Sequence, residues 1–172
     1  AGAGPAGLAA ALEAAEQGAD VILAEQDFAI GGALLSDPDG AATLAPLADA
    51  VAAHDGIRVL TRAQVFGLYD HGVAGVVERL PAGGPVRERL RLVRSGGIIA
   101  ATGAIERPLV FGDNDRPGVM GAAATGTYAV RHGVAPGRRI VVATTNDSAY
   151  APAAALATAG LDVTLLDLRD RR

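Results

Sequence analysis

The sequence of 172 residues contains no cysteine and no lysine. Without cysteine, these residues cannot form a redox disulfide, an iron–sulfur cluster or a thiolate zinc site. Without lysine, they cannot form a Schiff base with a carbonyl substrate. All 15 basic residues are therefore arginine, which we interpret as a bias of composition rather than of function. The three histidines are predicted to lie at the surface, because no two have the spacing of metal ligands, and no metal site is predicted.

Long apolar runs and a large excess of one charge are also missing. The net charge is −4 and the arginines are scattered, so nucleic acid is not an expected partner. No apolar run approaches the roughly 20 residues that a membrane-spanning helix needs, and no signal or transit peptide is visible. We therefore expect a cytoplasmic protein without membrane contact. The length suits one domain with a sizeable core, or one domain and part of another.

Glycine is abundant, and three of the 23 glycines form a motif at the start of the chain. Gly2, Gly4 and Gly7 have G-x-G-x-x-G spacing and precede an apolar helical pattern over 8–17. In a dinucleotide site the first glycine permits a tight turn, the second lets the backbone approach a pyrophosphate, and the third lets the helix lie close to the sheet. The amides and dipole of the helix N-terminus bind the phosphates. The motif therefore predicts a phosphate-binding loop.

A carboxylate follows at the end of the next predicted strand. Residues 21–24 form a short β-type run that ends on Glu25, 18 positions after Gly7. Glu25 is placed to accept hydrogen bonds from a ribose diol. A 2′-phosphate about 4 Å away would be repelled by roughly 4 kcal/mol at an effective dielectric near 20, and no arginine precedes Arg58 in the sequence. The segment therefore favours NAD or FAD over NADP.

The middle of the chain predicts an α/β fold interrupted by antiparallel strands. A helix ending near Gly56 and a strand at 57–60 are followed by three β runs, which predict a small meander over about 64–94. In the last run arginine alternates with leucine, which predicts that one face is solvated. A strand at 98–101 then ends in the small residues Ala101-Thr102-Gly103. That turn and the earlier Gly31-Gly32 pair are each either a point where the backbone approaches the cofactor or a plain turn.

A second β-α-β pattern closes the chain, with strands at 139–143 and 163–166 around a helix at 153–159. Its turn over 144–150 contains no glycine and includes Asp147, so we do not expect it to bind a dinucleotide. A polar residue of this turn is predicted to cap the helix, and Pro152 is predicted to delay its first turn. We therefore predict a dinucleotide-binding domain over 1–110 and the start of a degenerate second domain over 111–172. The central strand before the motif is missing, so we expect a fragment of a longer protein.

Four longer segments resemble the α subunits of heterotetrameric sarcosine oxidases, within the flavoprotein superfamily of glutathione-reductase-like enzymes. These segments are VFGLYDH at 65–71, ATGAIERP at 101–108, DNDRPGVM at 113–120 and NDSAY at 146–150. Related α subunits of opine oxidases, proline dehydrogenases and hydrogen cyanide synthases share parts of this pattern. Gly112 and Pro152 depart from it, which affects local loop and helix geometry rather than the site.

The resemblance implies a Rossmann-like FAD/NAD(P)-binding fold and a set of cofactor contacts. The implied contacts are Gly2, Gly4, Pro5, Ala6, Gly7, Glu25, Gln26, Gly32, Val65, Thr102 and Gly103. It implies NAD in this site, with FAD as the alternative, and flavins associated with a partner subunit. The implied partners are the β and smaller subunits of a hetero-oligomeric oxidase and a small-molecule amine. No catalytic residue is expected within these 172 residues.

The resemblance also implies a reaction, to which the residues leave alternatives. In the family, sarcosine is oxidatively demethylated to glycine with oxygen as acceptor, giving hydrogen peroxide and formaldehyde or methylenetetrahydrofolate. An opine-, proline- or cyanide-forming relative is one alternative, and an independent NAD(P)H-dependent flavoprotein reductase is another. A nucleotide-stabilised scaffold for the assembly of subunits is the alternative that is not an enzyme.

Overall fold

A helix followed by a strand opens the chain in the computed structural model, which describes residues 1–169. These residues form two units. The first unit comprises Ala1–Leu34 and Ala42–Gly103, and the second comprises Leu35–Ala41 and the described residues from Ala104 onward. None of the helices among residues 1–169 is both long and apolar enough to cross a bilayer.

Helix α1 spans Pro5–Glu16 and begins three residues before the predicted start. Proline suits the first helical position because its fixed φ matches the helix and its missing N–H would have no partner there. The helix is followed by Gly18, whose φ of 86° lies in the left-handed region that favours glycine. The proline at the start and the glycine after the end therefore set the length of α1.

A parallel strand pair forms the sheet of the first unit. Strand β1 (Val21–Ala24) pairs with β2 (Ile57–Leu60) in the register Val21 to Ile57, and helix α2 (Gly40–Ala53) connects them. Both strands have the bounds that the sequence predicts. Leu8, Leu23 and Val51 are buried together and pack the two helices on this sheet.

The predicted meander is present as an antiparallel sheet of three strands. These strands are β3 (Ala63–Tyr69), β4 (Val73–Arg79) and β5 (Glu88–Arg94). The prediction that the arginines of β5 form the solvated face is only partly right. Arg91 is half-buried and its Nη2 lies 2.7 Å from the carboxylate of Glu78, whereas Leu90 and Leu92 are 64% and 70% exposed.

The second unit contains another strand–helix–strand arrangement, preceded by helix α3 (Ala122–His132). Strand β6 (Arg139–Thr144) pairs in parallel with β7 (Asp162–Asp167), and helix α4 (Tyr150–Thr158) connects them. Val142, Ala149 and Ala153 form the core of this part. The β-α-β pattern predicted from the sequence is therefore present.

Two local predictions are wrong. Residues 98–101 are not a strand, since the hydrogen bonds of this segment to Ala1 are too few for a ladder: Ala1 N donates to Ile99 O and Ala101 N donates to Ala1 O. Pro152 does not delay helix α4, which begins at Tyr150. Proline is tolerated in the first turn of a helix because the N–H it lacks has no intrahelical acceptor there.

Candidate functional site

The three motif glycines face different surroundings. A Cβ on Gly2 would collide with the carbonyl group of Ala101, and a Cβ on Gly7 would collide with the carbonyl oxygen of Gly2. At Gly4 the only atom within 4 Å would be the Cα of Gly32, at 3.8 Å. The fold itself therefore requires glycine at positions 2 and 7, whereas position 4 keeps open space next to the start of α1.

The backbone amides at this helix start point toward no protein acceptor. Gly4 is the N-cap residue and provides no side-chain cap, and its carbonyl accepts from the N–H of Leu8 at 2.9 Å. Within residues 1–169, the N–H groups of Gly4, Ala6 and Gly7 have no acceptor. Free amides at a helix N-terminus, with the positive end of its dipole, form an anion site.

The Gly31-Gly32 pair packs directly against this loop. The N–H of Gly31 donates to the carbonyl of Ala3 at 2.7 Å, and the Cα of Gly32 lies against Gly4. Gly32 has a φ of 54°, and a Cβ there would lie 2.8 Å from the Cα of Gly4. The structure thus favours the first interpretation of the pair, as backbone close to the phosphate loop, over a plain turn.

The Glu25 carboxylate accepts two backbone hydrogen bonds. One oxygen accepts from the N–H of Ala3 at 2.7 Å, and the other accepts from the N–H of Asp27 at 2.8 Å. The residue is buried at the end of β1, with 8% of its surface exposed. Each carboxylate oxygen can accept more than one bond, so capacity remains for a ribose hydroxyl. The sequence predicts the position of Glu25, but not its bond to the glycine loop.

The other predicted contacts are divided between two places. Thr102 lies beside Gly2, and its Cα would be 3.4 Å from a Cβ on that glycine; Gly103, with a φ of 71°, follows it. Gln26 is exposed next to Glu25. Val65 instead packs with the second apolar cluster, which includes Ala24 and Val76. Except for Gln26 and Val65, contacts in the structure thus gather the predicted residues around the loop.

An apolar cavity of about 750 Å³ lies behind the loop in the first unit. Gly2, Gly7 and the inner face of α1 line one side, and the extended segments 21–24 and 96–99 line others. Neither Gly4 nor Glu25 lines it, so it is separate from the open space at Gly4. Its apolar walls and its position between two extended segments match the place where the sequence predicts a central strand.

The structure also places an arginine near the adenosine side of the predicted site, which sequence reasoning missed. The guanidinium carbon of Arg62 lies 5.6 Å from the ring centroid of Phe28, and the N–H of Arg62 donates to the carbonyl of Asp27 at 2.8 Å. Arg62 has a left-handed φ of 54°. The separation of Arg62 from Phe28 along the sequence hides this arrangement, which depends on the parallel pairing of β1 and β2.

The corresponding turn of the second unit carries an ionic cluster instead of free amides. Asp167, at the end of β7, accepts from Tyr150 Oη at 2.8 Å and is bound by the guanidinium of Arg169 at 2.6 Å, and Arg169 also reaches Asp147 at 2.7 Å. Arg169 first, and Tyr150 as well, hold the pKa of Asp167 well below its usual range. Its bonds to Asp167 and Asp147 raise the pKa of Arg169. Asn146 caps the turn by accepting from the N–H of Ser148, as predicted.

A glycine loop at a helix N-terminus, next to a carboxylate at the end of the following parallel strand, defines the α/β proteins that bind dinucleotides. The family model of the pyridine nucleotide-disulphide oxidoreductases matches residues 1–172, and the chain belongs to this family. The predicted fold class and oxidoreductase family are thereby confirmed. The described residues contain no group of three or more His, Asp or Glu side chains placed to bind a metal ion.

Known proteins extend this similarity. The chain is 48% identical to the alpha subunit of sarcosine oxidase from Rhizobium meliloti (strain 1021), over 94% of this chain and 18% of that protein. It is 43% identical to the same subunit from Corynebacterium sp. (strain P-1), over 98% and 19%. A subunit of the opine oxidase from Agrobacterium tumefaciens (strain Ach5) is 32% identical, over 96% and 35%. The resemblance stated from the sequence is confirmed, and the chain spans about a fifth of its sarcosine oxidase relatives.

A solved structure shows the same fold. The crystal structure of L-proline dehydrogenase from P. horikoshii aligns with 99% of this chain and 35% of that chain, with a TM-score of 0.79 and 25% sequence identity.

Proposed function

We propose that these residues bind the pyrophosphate of NAD, with FAD as the alternative occupant of the same site. The open side of Gly4 carries this proposal. Because no protein atom other than the Cα of Gly32 lies near a Cβ at that position, the protein's own packing does not explain the absence of a side chain. A ligand that approaches the backbone there does explain it.

The surroundings of Gly4 fit a diphosphate. The N–H groups of Gly4, Ala6 and Gly7 supply donors and the dipole of α1 supplies partial positive charge. The carboxylate of Glu25 lies next to the same loop and can accept from a sugar hydroxyl. NAD would supply hydride-transfer chemistry when redox-active. The residues of this chain bind and orient it.

We propose further that the parent protein is the α subunit of a sarcosine-oxidising hetero-oligomer. Its β and smaller subunits would be the partners, and flavins associated with the β subunit would accept electrons from the amine and pass them to oxygen. The identity of 40–48% to the sarcosine oxidase proteins, against 32% to the opine oxidase proteins, supports this substrate over an opine. The missing lysines and cysteines support a role in binding rather than in covalent catalysis.

An independent NAD(P)H-dependent reductase is the second candidate enzyme. It would need another nucleotide site, and the second unit offers a turn without glycine in which Asp147 is paired with Arg169. A carboxylate in such a turn repels phosphate. The turn therefore favours the oxidase component over the reductase, whereas an assembly scaffold that holds the nucleotide only for stability is compatible with the same geometry.

Nucleotide released from the parent protein distinguishes these functions. The intact protein would be purified with its partner subunits, denatured, and the released nucleotides identified by mass. We expect the α subunit to release NAD, and we expect only the complete assembly to oxidise sarcosine. Flavin released from an isolated chain that oxidises NADH would contradict the proposal and support the reductase. Absence of any nucleotide would contradict the binding site itself.

A further inference from the structure

Glu25 contacts the phosphate loop as well as the place proposed for the sugar. Its Oε2 accepts the N–H of Ala3 at 2.7 Å, within the x position between the first two motif glycines, although the two residues lie 22 positions apart. The bond is buried and has a charged acceptor, which makes it one of the stronger hydrogen-bond types. The loop therefore does not take its shape from its own residues alone.

Ala3 is held on both of its peptide groups. Glu25 accepts its N–H, and the N–H of Gly31 donates to its carbonyl at 2.7 Å. The carbonyl of Ala3 and the N–H of Gly4 belong to one planar peptide unit and point in opposite directions. Fixing the carbonyl therefore directs the N–H of Gly4 away from Gly31, into the open space at the helix start.

We propose that Glu25 is a positioning residue for the phosphate-binding amides, in addition to any contact with the sugar. This inference rests on the proposed function, because the amides are assigned to a diphosphate. The carboxylate holds the loop in its binding conformation before the ligand arrives, so the ligand does not have to order the loop. A ligand that has no sugar should therefore still depend on Glu25.

Inorganic pyrophosphate separates positioning from sugar binding, because it lacks a ribose. If Glu25 acts only on the sugar, Glu25→Gln removes a negative charge near an anion site, and pyrophosphate should bind equally well or more tightly. If Glu25 holds the loop, the amide of Gln has only one acceptor oxygen for two backbone donors. Pyrophosphate should then bind more weakly, so the two roles predict effects of opposite sign.

The test measures pyrophosphate and NAD binding to the intact protein after its nucleotide has been removed. We expect Glu25→Gln and Glu25→Asp each to raise the dissociation constant for pyrophosphate about tenfold, equivalent to about 1.4 kcal/mol. Glu25→Asp keeps the charge but is one methylene too short to reach Ala3. Glu16→Gln is the matched control, since Glu16 is exposed at the far end of α1, and it should change neither affinity. Thermal melts would show that every variant is folded at the binding temperature.

Pyrophosphate affinity that is unchanged or higher in Glu25→Gln, with weaker NAD binding, would overturn the inference and leave Glu25 as a sugar ligand only. If the unsubstituted protein bound neither NAD nor pyrophosphate, the proposed function would fail instead. Hydrogen exchange then decides the inference: amides of residues 1–8 should exchange faster in Glu25→Asp than in the unsubstituted protein. Equal exchange would overturn it.

Discussion

Gly4→Ala and Gly7→Ala add the same methyl group to one loop, but they should have different consequences. At Gly4 the φ of −74° and ψ of −178° are accessible to alanine, and the methyl would meet only the Cα of Gly32. Alanine gains about 0.4–1 kcal/mol because it restricts the unfolded chain, and it loses a similar amount as a helix N-cap. We therefore expect the free energy of unfolding to change by less than about 0.5 kcal/mol.

Nucleotide binding should nevertheless be lost in Gly4→Ala. The methyl occupies the side from which a pyrophosphate would approach the backbone. Displacing the phosphate from one amide forfeits a charge-assisted hydrogen bond of about 1.5–3 kcal/mol, so affinity should fall at least about tenfold. The perturbation thus separates binding from folding.

Gly7→Ala should destabilise the fold instead. Alanine gains about 1 kcal/mol in helix propensity, but its methyl collides with the backbone carbonyl of Gly2, which cannot rotate away as a side chain can. Overpacking of this kind costs roughly 1–3 kcal/mol and occasionally more. Because the obstacle is backbone, we expect the upper end of that range and a net loss of about 2 kcal/mol.

Both variants would be purified as the intact protein and compared by nucleotide content, NAD affinity and thermal melting. Gly84→Ala is the matched control, because its backbone is ordinary and a Cβ there would meet only the carbonyl oxygen of Val86 at 3.9 Å. Unchanged NAD affinity in Gly4→Ala would refute the assignment of the phosphate site. A melting temperature for Gly4→Ala as low as that for Gly7→Ala would show that Gly4 is a packing requirement and not a ligand site.

Two further predictions concern charge. NADP should bind at least about tenfold more weakly than NAD, since Glu25 repels a 2′-phosphate, and equal affinities in a competition titration would contradict this. Asp167 has a lowered pKa, so its ionised form stabilises the second unit above the ordinary aspartate pKa of about 3.9, and that contribution is lost as the pH falls through the lowered value. Arg169→Met should therefore move this loss to higher pH, towards about 4. Superimposable melting profiles of the two proteins across acid pH would exclude a role for the pair.

Local pattern was enough to predict the elements that lie along one stretch of chain. Strands β1 and β2 have the predicted bounds, and the three β runs form the predicted antiparallel sheet. Apolar alternation and short turns specify such elements because both act between neighbouring residues. The glycine spacing likewise predicts the loop, because each glycine answers a local steric requirement.

Contacts between distant residues could not be predicted in the same way. Glu106 caps helix α3 by accepting the N–H groups of Ala122 and Ala123 at 2.9 and 3.0 Å, although it lies 16 positions before Ala122. A sequence shows a cap only when it is adjacent to the helix. The bond from Ala3 to Glu25 and the approach of Arg62 to Phe28 are hidden for the same reason. Each depends on how distant segments pack together rather than on spacing along the chain.

The two units show why an acid at a strand end does not define a nucleotide site. Glu25 and Asp167 both lie at the end of a strand that follows a helix. Glu25 accepts backbone N–H groups, which leaves the loop amides without acceptors in the described residues and keeps its remaining capacity for a hydroxyl. Asp167 is neutralised by Arg169, which also bridges to the turn through Asp147. A nucleotide at the second site would have to displace a charged pair and gain no glycine loop in return, so the proposed dinucleotide belongs to the first unit.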